Sequence, residues 1–404
     1  MPSIAEARTA RHPVRVAHLG LGHFHRAHQA WYTQHAHALP DPGVADGWGI
    51  AAFTGRSPRA AEALAAQDSV YALITRAAEG DSAEIIQSIS EVHDGRGEAW
   101  QRTLADPGVA ILTVTVTERG YEAGPTAASE TDAETPGARI ARGLLARAQA
   151  SAGPIALVSC DNLSANGEAL RDAVARETDD DDLKTWIDAN VSFVSTMVDR
   201  ITPGTTDADR ETARELTGFD DAAPVVTEPF SEWVLSGAFP GGRPAWDRVG
   251  ARFVDDIEPY ERRKLWLLNA GHTLLASTGL LRGHETVAEA FADPECRMLL
   301  EDLWQEARVL LPFDDETTDA FLAALRSRFA NPGIAHRLTQ VDDGSLQKLK
   351  QRQAAIVSAR LDAGDEPGRA SLATVEAWGR LRGLDLSEAL DVLQPGLSAR
   401  VYLS

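Results

Sequence analysis

The stretch Val14-Arg15-Val16-Ala17-His18-Leu19 reads as a short strand, Gly20-Leu21-Gly22 follows at once, and a helical pattern runs from about Phe24 to His37. Strand, glycine pair and helix together open a dinucleotide-binding unit. The glycines permit a tight turn and let a pyrophosphate approach a helix N-terminus. Gly20, Gly22, His23 and Phe24 are therefore the candidate cofactor contacts. His25 stands where a third glycine is usual, so the pattern is incomplete. The histidines at 23, 25 and 28 do not read as a metal site, because one helical turn cannot bring all three round a single ion without a carboxylate or cysteine nearby. No metal is expected.

The rest of the first half repeats the strand–helix alternation. Trp48 to Phe53 is a second strand, and it leads into Thr54-Gly55-Arg56-Ser57-Pro58-Arg59. An acid commonly ends this strand where NAD is preferred, and an arginine suits a 2′-phosphate. Here the acid is missing and Arg56 and Arg59 are present, so the preference between NAD and NADP is open from these residues; NAD is the expected cofactor, with NADP possible. Tyr71 to Ile74, Glu84 to Ile89, Val109 to Val116 and Pro154 to Ser159 are further strands, and a helix from about 138 to 150 precedes the last of them. Residues 122–136 read as an exposed loop, and the acidic run Asp179 to Asp182 as the cap of the helix after it. Such alternation predicts an α/β protein with a Rossmann-like, doubly wound parallel sheet. Ligands sit beyond the carboxyl ends of the strands in such sheets, where Asn162 falls.

The glycines and prolines from Glu228 to Pro244 predict a crossing between domains. Beyond Glu261 the patterns are overwhelmingly helical, at 285–292, 296–310, 316–328, 345–363, 369–381 and 386–394. The expected division is a dinucleotide-binding domain over 1–255 and a mainly α-helical substrate domain over 256–404.

At the start of the second half, the stretch from Glu261 to His272 predicts one uninterrupted helix. At about 100° per residue, Glu261, Lys264, Asn269 and His272 fall within an arc of roughly 140°. An internal salt bridge with satisfied core polars would explain them. A reaction centre would explain them equally well. Burial lowers a lysine from about 10.4 toward the ~7–8 that suits proton transfer at neutral pH. Asn269 can donate to the same substrate oxygen, and His272 can orient a neighbouring hydroxyl.

Composition narrows the partners. Sixty acidic against 39 basic residues give a formal charge of −21, which argues against nucleic acid or an anionic membrane. A small anionic substrate is not excluded, because surface charge is screened over about 8 Å at physiological salt. Two cysteines, Cys160 and Cys296, exclude a disulfide framework and fit a reducing cytoplasm. The N-terminus lacks the apolar core of a signal peptide, and no apolar run reaches the ~18 residues of a membrane span. A cytoplasmic monomer or small homo-oligomer is expected.

Several segments coincide with one family over nearly the whole chain. Gly20 to Gln29, Ser159-Cys160-Asp161-Asn162, Thr196 to Pro203, Glu228-Pro229-Phe230 and the Lys264…Asn269…His272 spacing resemble the mannitol dehydrogenase family of polyol-specific long-chain dehydrogenases. The resemblance implies metal-free hydride transfer at a nicotinamide. Lys264 would be the general acid–base, Asn162 and Asn269 would hold the reacting oxygen, His272 would contact substrate, and Glu261 would exchange protons with solvent. Thr117 to Tyr121 and Asn331 to Gln340 look more like the branch that interconverts D-fructuronate and D-mannonate than like the mannitol 2-dehydrogenases, which usually have an arginine where Gln340 sits. Asp199, Lys348, Arg337 and Gln340 are the implied substrate contacts. A uronate carboxylate requires a pocket cation, for which Lys348, Arg337 and Arg119 are the candidates. The substrate is expected to be a sugar acid or a polyol. A mannitol or arabinitol dehydrogenase is the alternative within the chemistry, and a non-catalytic dinucleotide-binding redox sensor the alternative outside it.

Overall fold

The computed structural model describes residues 1–37, 47–55, 57–122, 134–334 and 336–403. It divides into two compact units, Met1–Ile257 and Glu258–Ser404.

The first unit is built on an eight-stranded sheet. Its strands are β1 (Val14–Leu19), β2 (Gly49–Phe53), β5 (Ile89–His93), β6 (Ile111–Val114), β7 (Ile155–Ser159), β8 (Val191–Asp199), β10 (Glu232–Ser236) and β11 (Arg252–Phe253). The order across the sheet is β5-β2-β1-β6-β7-β8-β10-β11. From β5 to β8 every pairing is parallel. Renumbered among themselves, those strands run 3-2-1-4-5-6, which makes the sheet doubly wound and parallel, as expected from the sequence. Strands β2, β6 and β7 are buried at every position, as strands covered on both faces must be. Their residues alternate between two cores. Ile50, Ala52, Ile111, Ala156 and Val158 face one core with Trp48, Trp233 and Trp246, and Ala51, Phe53, Leu112, Ile155 and Leu157 face the other with Trp100, Ile140 and Leu144.

A separate three-stranded sheet holds β3 (Tyr71–Ala77), β4 (Gly80–Ile86) and β9 (Val225–Thr227) in the order β4-β3-β9. The single strand expected over Glu84 to Ile89 is thus two, β4 and β5, and they belong to different sheets. The segment Glu228 to Pro244, expected to cross between domains, lies inside the first unit. Its centre, β10, pairs antiparallel with β8 from Glu232↔Asp199 to Ser236↔Ser195. The glycines and prolines flank a five-residue strand, buried at its first four positions, and do not interrupt it. The acidic run caps as expected, with the Asp180 carboxylate accepting from the Asp182 and Leu183 amides.

The second unit is helical. At its centre, Ala270–Leu281 is buried at nine positions, including Gly271 and Gly279. A Cβ on Gly279 would lie 2.8 Å from both Ala290 and Leu338, so the glycine sets how closely the surrounding helices approach. The helix expected over 345–363 is two, Ser345–Gln351 and Gln353–Asp362, broken at Arg352 with φ −107° and ψ −91°. The helix expected over Phe24 to His37 is likewise broken, at His28. Among the described residues, no helix is long and apolar enough to cross a membrane.

Candidate active site

In the sheet unit the site begins between β1 and β6, where the winding reverses. Gly20 has φ +113°, and a Cβ there would lie 1.9 Å from the Thr115 carbonyl oxygen, so no other residue fits. The turn is fastened by the Gly20 and Leu21 amides donating to the Phe53 carbonyl at 2.9 and 3.0 Å, and by the Thr115 hydroxyl donating to the Gly20 carbonyl at 2.9 Å. Gly22 precedes the helix His23–Ala27 in an extended conformation, and a Cβ on it would meet only the Gly20 carbonyl oxygen, at 3.5 Å. The surface above Gly22 is a cradle that a side chain would fill, which fits the approach of a dinucleotide pyrophosphate. His23 and Phe24 are half-buried beside it. Burial, then the charge of Arg26, holds the His23 imidazole below its ordinary pKa.

His25, the departure from the glycine pattern, is buried and lies flat on His18 of β1. A third glycine serves close packing of helix on strand. Two parallel rings achieve the same approach here. His18 also bonds the Thr113 hydroxyl at 2.8 Å and the Thr115 hydroxyl at 3.2 Å, so the stack reaches the glycine turn.

Asn162 is exposed on the loop that follows β7. The loop is held by its neighbours. The Asp161 carboxylate accepts from the Val116 amide at 3.0 Å, the Thr117 amide at 2.8 Å and the Tyr121 hydroxyl at 2.6 Å. The Asn166 side-chain amide donates to the Asp161 and Thr196 carbonyls and accepts from the Thr196 amide. Asp199 is buried at the end of β8, opposite Glu232. Two other segments of the family pattern prove to be one structural joint. The Arg200 guanidinium lies over Trp31 and donates to the Ala27 and Glu228 carbonyls, while the Glu228 carboxylate accepts from the Ile201 amide at 2.7 Å. Arg56 lies outside the described residues, as does the side chain of Arg119. No acid follows β2 in Thr54 and Gly55.

In the helical unit, the helix expected from Glu261 to His272 is not uniform. Glu258–Arg263 is α-helical, Lys264–Asn269 forms a π-turn, and the α-helix resumes at Ala270. The Ala270 amide donates to the Leu265 carbonyl, five residues back. In an α-helix Lys264 and Asn269 would stand about 140° apart. The wider π-turn brings the fifth residue nearly above the first, so both occupy one side. Lys264, Leu265, Asn269 and His272 are half-buried, and Trp266, Leu267 and Leu268 are buried behind them.

Three side chains donate to carbonyls of this turn and of Ala270 just after it. Trp304 Nε1 reaches Leu267 O at 2.9 Å, Arg352 Nη1 reaches Asn269 O at 3.0 Å, and Gln353 Nε2 reaches Ala270 O at 2.9 Å. His272 packs against Phe329 and His336, with ring centroids at 4.7 and 5.0 Å. Burial holds the His272 imidazole well below its ordinary pKa, and the charges of His336, Arg328, Arg352 and Lys348 push the same way. Burial, then Lys348 and Arg328, also lowers His336. Both rings are neutral at physiological pH, under several cations.

Lys348 donates to the Val341 and Asp343 carbonyls. Gln340 is exposed, and Arg337 is 63% exposed with Glu285 beside it at 3.8 Å. The sequence reading missed Arg328 and Arg352 near His272. Neither is among the sequence candidates Lys348, Arg337 and Arg119, and Arg352 falls in a segment whose pattern predicts one continuous helix.

A glycine turn at the switch point of a 3-2-1-4-5-6 sheet is the arrangement of a dinucleotide-binding domain. Residues 14–248 match the mannitol dehydrogenase Rossmann domain and residues 256–382 the mannitol dehydrogenase C-terminal domain, and the chain belongs to the mannitol dehydrogenase family. It is 35% identical to the D-mannonate oxidoreductase of Escherichia coli K12, over 95% of this chain and 83% of that one. It is also 35% identical to the D-arabinitol 4-dehydrogenase of Ralstonia nicotianae, over 92% and 85%. Among solved structures it resembles Pseudomonas fluorescens mannitol 2-dehydrogenase in ternary complex with NAD and D-mannitol, with a TM-score of 0.76 and 31% identity over 98% of this chain and 87% of that one. The protein is thus a nicotinamide-dependent oxidoreductase acting on CH–OH groups, which sets aside the sensor reading.

Proposed function

We propose that this enzyme reduces a keto-hexuronate to the hexonate, D-fructuronate to D-mannonate or a close analogue, with Lys264 as general acid–base. The bound nicotinamide supplies the hydride, and Gly20, Gly22, His23 and Phe24 are the residues that would hold its dinucleotide. Lys264 gives its proton to the ketone oxygen in the reducing direction and recovers it in the oxidising one. Asn269, on the same side of the π-turn, donates a hydrogen bond to that oxygen as negative charge develops on it. The same donor role falls to Asn162 in the sheet unit. Neutral His272 donates to or accepts from a neighbouring hydroxyl without competing for the proton. Glu261, one turn before Lys264, returns the proton to solvent.

The observation that carries the chemistry is the π-turn with Lys264 at one end and Asn269 at the other. The sugar-acid reading is supported by the positive charges of Arg328 and Lys348 acting on both His272 and His336, because a substrate carboxylate gains most where several cations converge. Lys348 and Asp199 are retained as substrate contacts. Arg337 and Gln340 are exposed, which favours them less. Equal identity to an arabinitol dehydrogenase keeps a polyol substrate as the second reading.

Turnover of fructuronate, fructose, mannitol and arabinitol, each with NAD(H) and NADP(H), tests this. A clear preference for the uronate is expected. Equal or better turnover of the neutral sugars defeats the hexuronate assignment, and undiminished turnover by Lys264→Ala defeats the acid–base assignment. The cofactor arms decide between NAD, the expected partner, and NADP.

A further inference from the structure

We propose that Arg352 is a positioning residue for the reaction: it fixes the register of the π-turn, so that Lys264 and Asn269 face the same side. The inference rests on the acid–base reading of Lys264.

The π-helix is rare and occurs mostly as a single turn inside an α-helix, and where i→i+5 bonding gives way to i→i+4 a carbonyl left out of the ladder needs another donor. Here the carbonyls of Leu267, Asn269 and Ala270 each accept a side-chain donor. Two of the three donors are consecutive residues. On a continuous helix Arg352 and Gln353 would point about 100° apart. The helix breaks at Arg352, and both side chains reach the same turn.

Arg352 does more than satisfy one oxygen. Its Nη1 donates to Asn269 O at 3.0 Å and to Thr273 Oγ1 at 2.7 Å, and that hydroxyl in turn donates to Asn269 O at 3.1 Å. The guanidinium therefore straddles the last residue of the π-turn and the first turn of the α-helix. The backbone it grips is that of Asn269, whose side chain is assigned the reacting oxygen. Trp304 and Gln353, both buried, hold the turn on either side of that point. Slippage to α-helical register would turn Asn269 away from Lys264, and a misplacement of about 1 Å costs on the order of 10²-fold in rate.

The test is steady-state kinetics of the full-length enzyme, with dinucleotide affinity by fluorescence titration and thermal midpoints alongside. Arg352→Met is expected to lower kcat by about 10²-fold, with substrate KM and NADH Kd changed less than about threefold. Arg352→Lys is expected to recover roughly a tenth to a third of the activity, because one ammonium can serve the two acceptors without the planar fork. Trp304→Phe keeps the ring and deletes a single donor. It should lower kcat by about three- to tenfold in the same pattern, and it keeps the question answerable if Arg352→Met does not accumulate. Unchanged kcat in these variants overturns the proposal, as does a loss confined to KM or no recovery with lysine. Lys264→Ala separates the two ideas. An active Lys264→Ala enzyme overturns both, whereas an inactive one beside fully active Arg352→Met overturns positioning alone.

Discussion

The imidazoles of His18 and His25 lie parallel in the interior of the sheet unit, their centroids 3.3 Å apart and their planes within 8°. Burial holds His18 down to about 3 and His25 well below its ordinary value, with their mutual repulsion contributing to His25. Both are therefore neutral in the folded protein.

An acid sensitivity follows from this pair. The unfolded chain protonates each histidine near 6.5, while the folded chain does not protonate His18 until about pH 3. The unfolded state thus binds more protons between those values, and stability falls as pH drops through that window. The slope is about 1.4 kcal/mol per pH unit for each group once the pH is well below 6.5. His25→Phe keeps a flat ring on His18 and removes one titrating group. Urea unfolding at pH 7, 6, 5 and 4.5 should show a shallower loss for the variant, and parallel curves would exclude His25 as a source of the sensitivity.

The two glycines of the turn should respond differently to one methyl group. Gly20→Ala places Cβ 1.9 Å from a backbone oxygen at φ +113°, and the thermal midpoint should collapse or soluble protein be lost. Gly22 has φ −131°, which alanine adopts freely, and its Cβ would meet no atom closer than 3.5 Å. Gly22→Ala should therefore leave the midpoint within about 2 °C while weakening NADH binding roughly tenfold or more, because only the dinucleotide needs that space. Unchanged NADH affinity in Gly22→Ala would remove the cradle from the cofactor site.

Much of this was legible in the chain and some was not, for physical reasons. Strands β1, β2, β6 and β7 are apolar runs bounded by turn residues, and local pattern suffices to place them. Strand β10 escaped notice because its pairing with β8 is made some 35 residues away, while the glycines and prolines around it are local. The breaks at His28 and Arg352 involve no proline or glycine, and tertiary donors and acceptors override a good helical pattern there. The π-turn is of the same kind. Its residues read as a plain helix, and what holds it are Trp304, Arg352 and Gln353, far along the chain.

The loop that carries Asn162 depends on Asp161. Its carboxylate binds two backbone amides and the Tyr121 hydroxyl, and one of those amides belongs to Thr117 at φ +69°. Asp161→Ala leaves two amides without their acceptor, at about 1–3 kcal/mol each if they stay buried. Chemical denaturation should show a loss of roughly 2–5 kcal/mol. Tyr121→Phe removes a single donor and should cost about 1 kcal/mol. A loss in Asp161→Ala no larger than in Tyr121→Phe would mean that water replaces the carboxylate at the amides.

The cations near His272 should discriminate between substrates by charge. Arg328 sits on the last turn of Asp315–Ala330, and its charge bears on both His272 and His336. If a sugar carboxylate docks there, Arg328→Met removes a charge-assisted hydrogen bond worth about 1.5–3 kcal/mol. KM for the hexuronate should then rise about 10- to 100-fold, while KM for a neutral ketose changes little. Arg337→Met is the control, since Arg337 is mostly exposed and faces Glu285, and a surface pair of this kind contributes at most about 1 kcal/mol. Its KM values should match those of the unaltered enzyme for both substrates. Equal increases for charged and neutral substrates in Arg328→Met would show that Arg328 shapes the pocket without reading the carboxylate. An increase confined to Arg337→Met would place the carboxylate contact at the exposed arginine and return Asn331 to Gln340 to the centre of specificity.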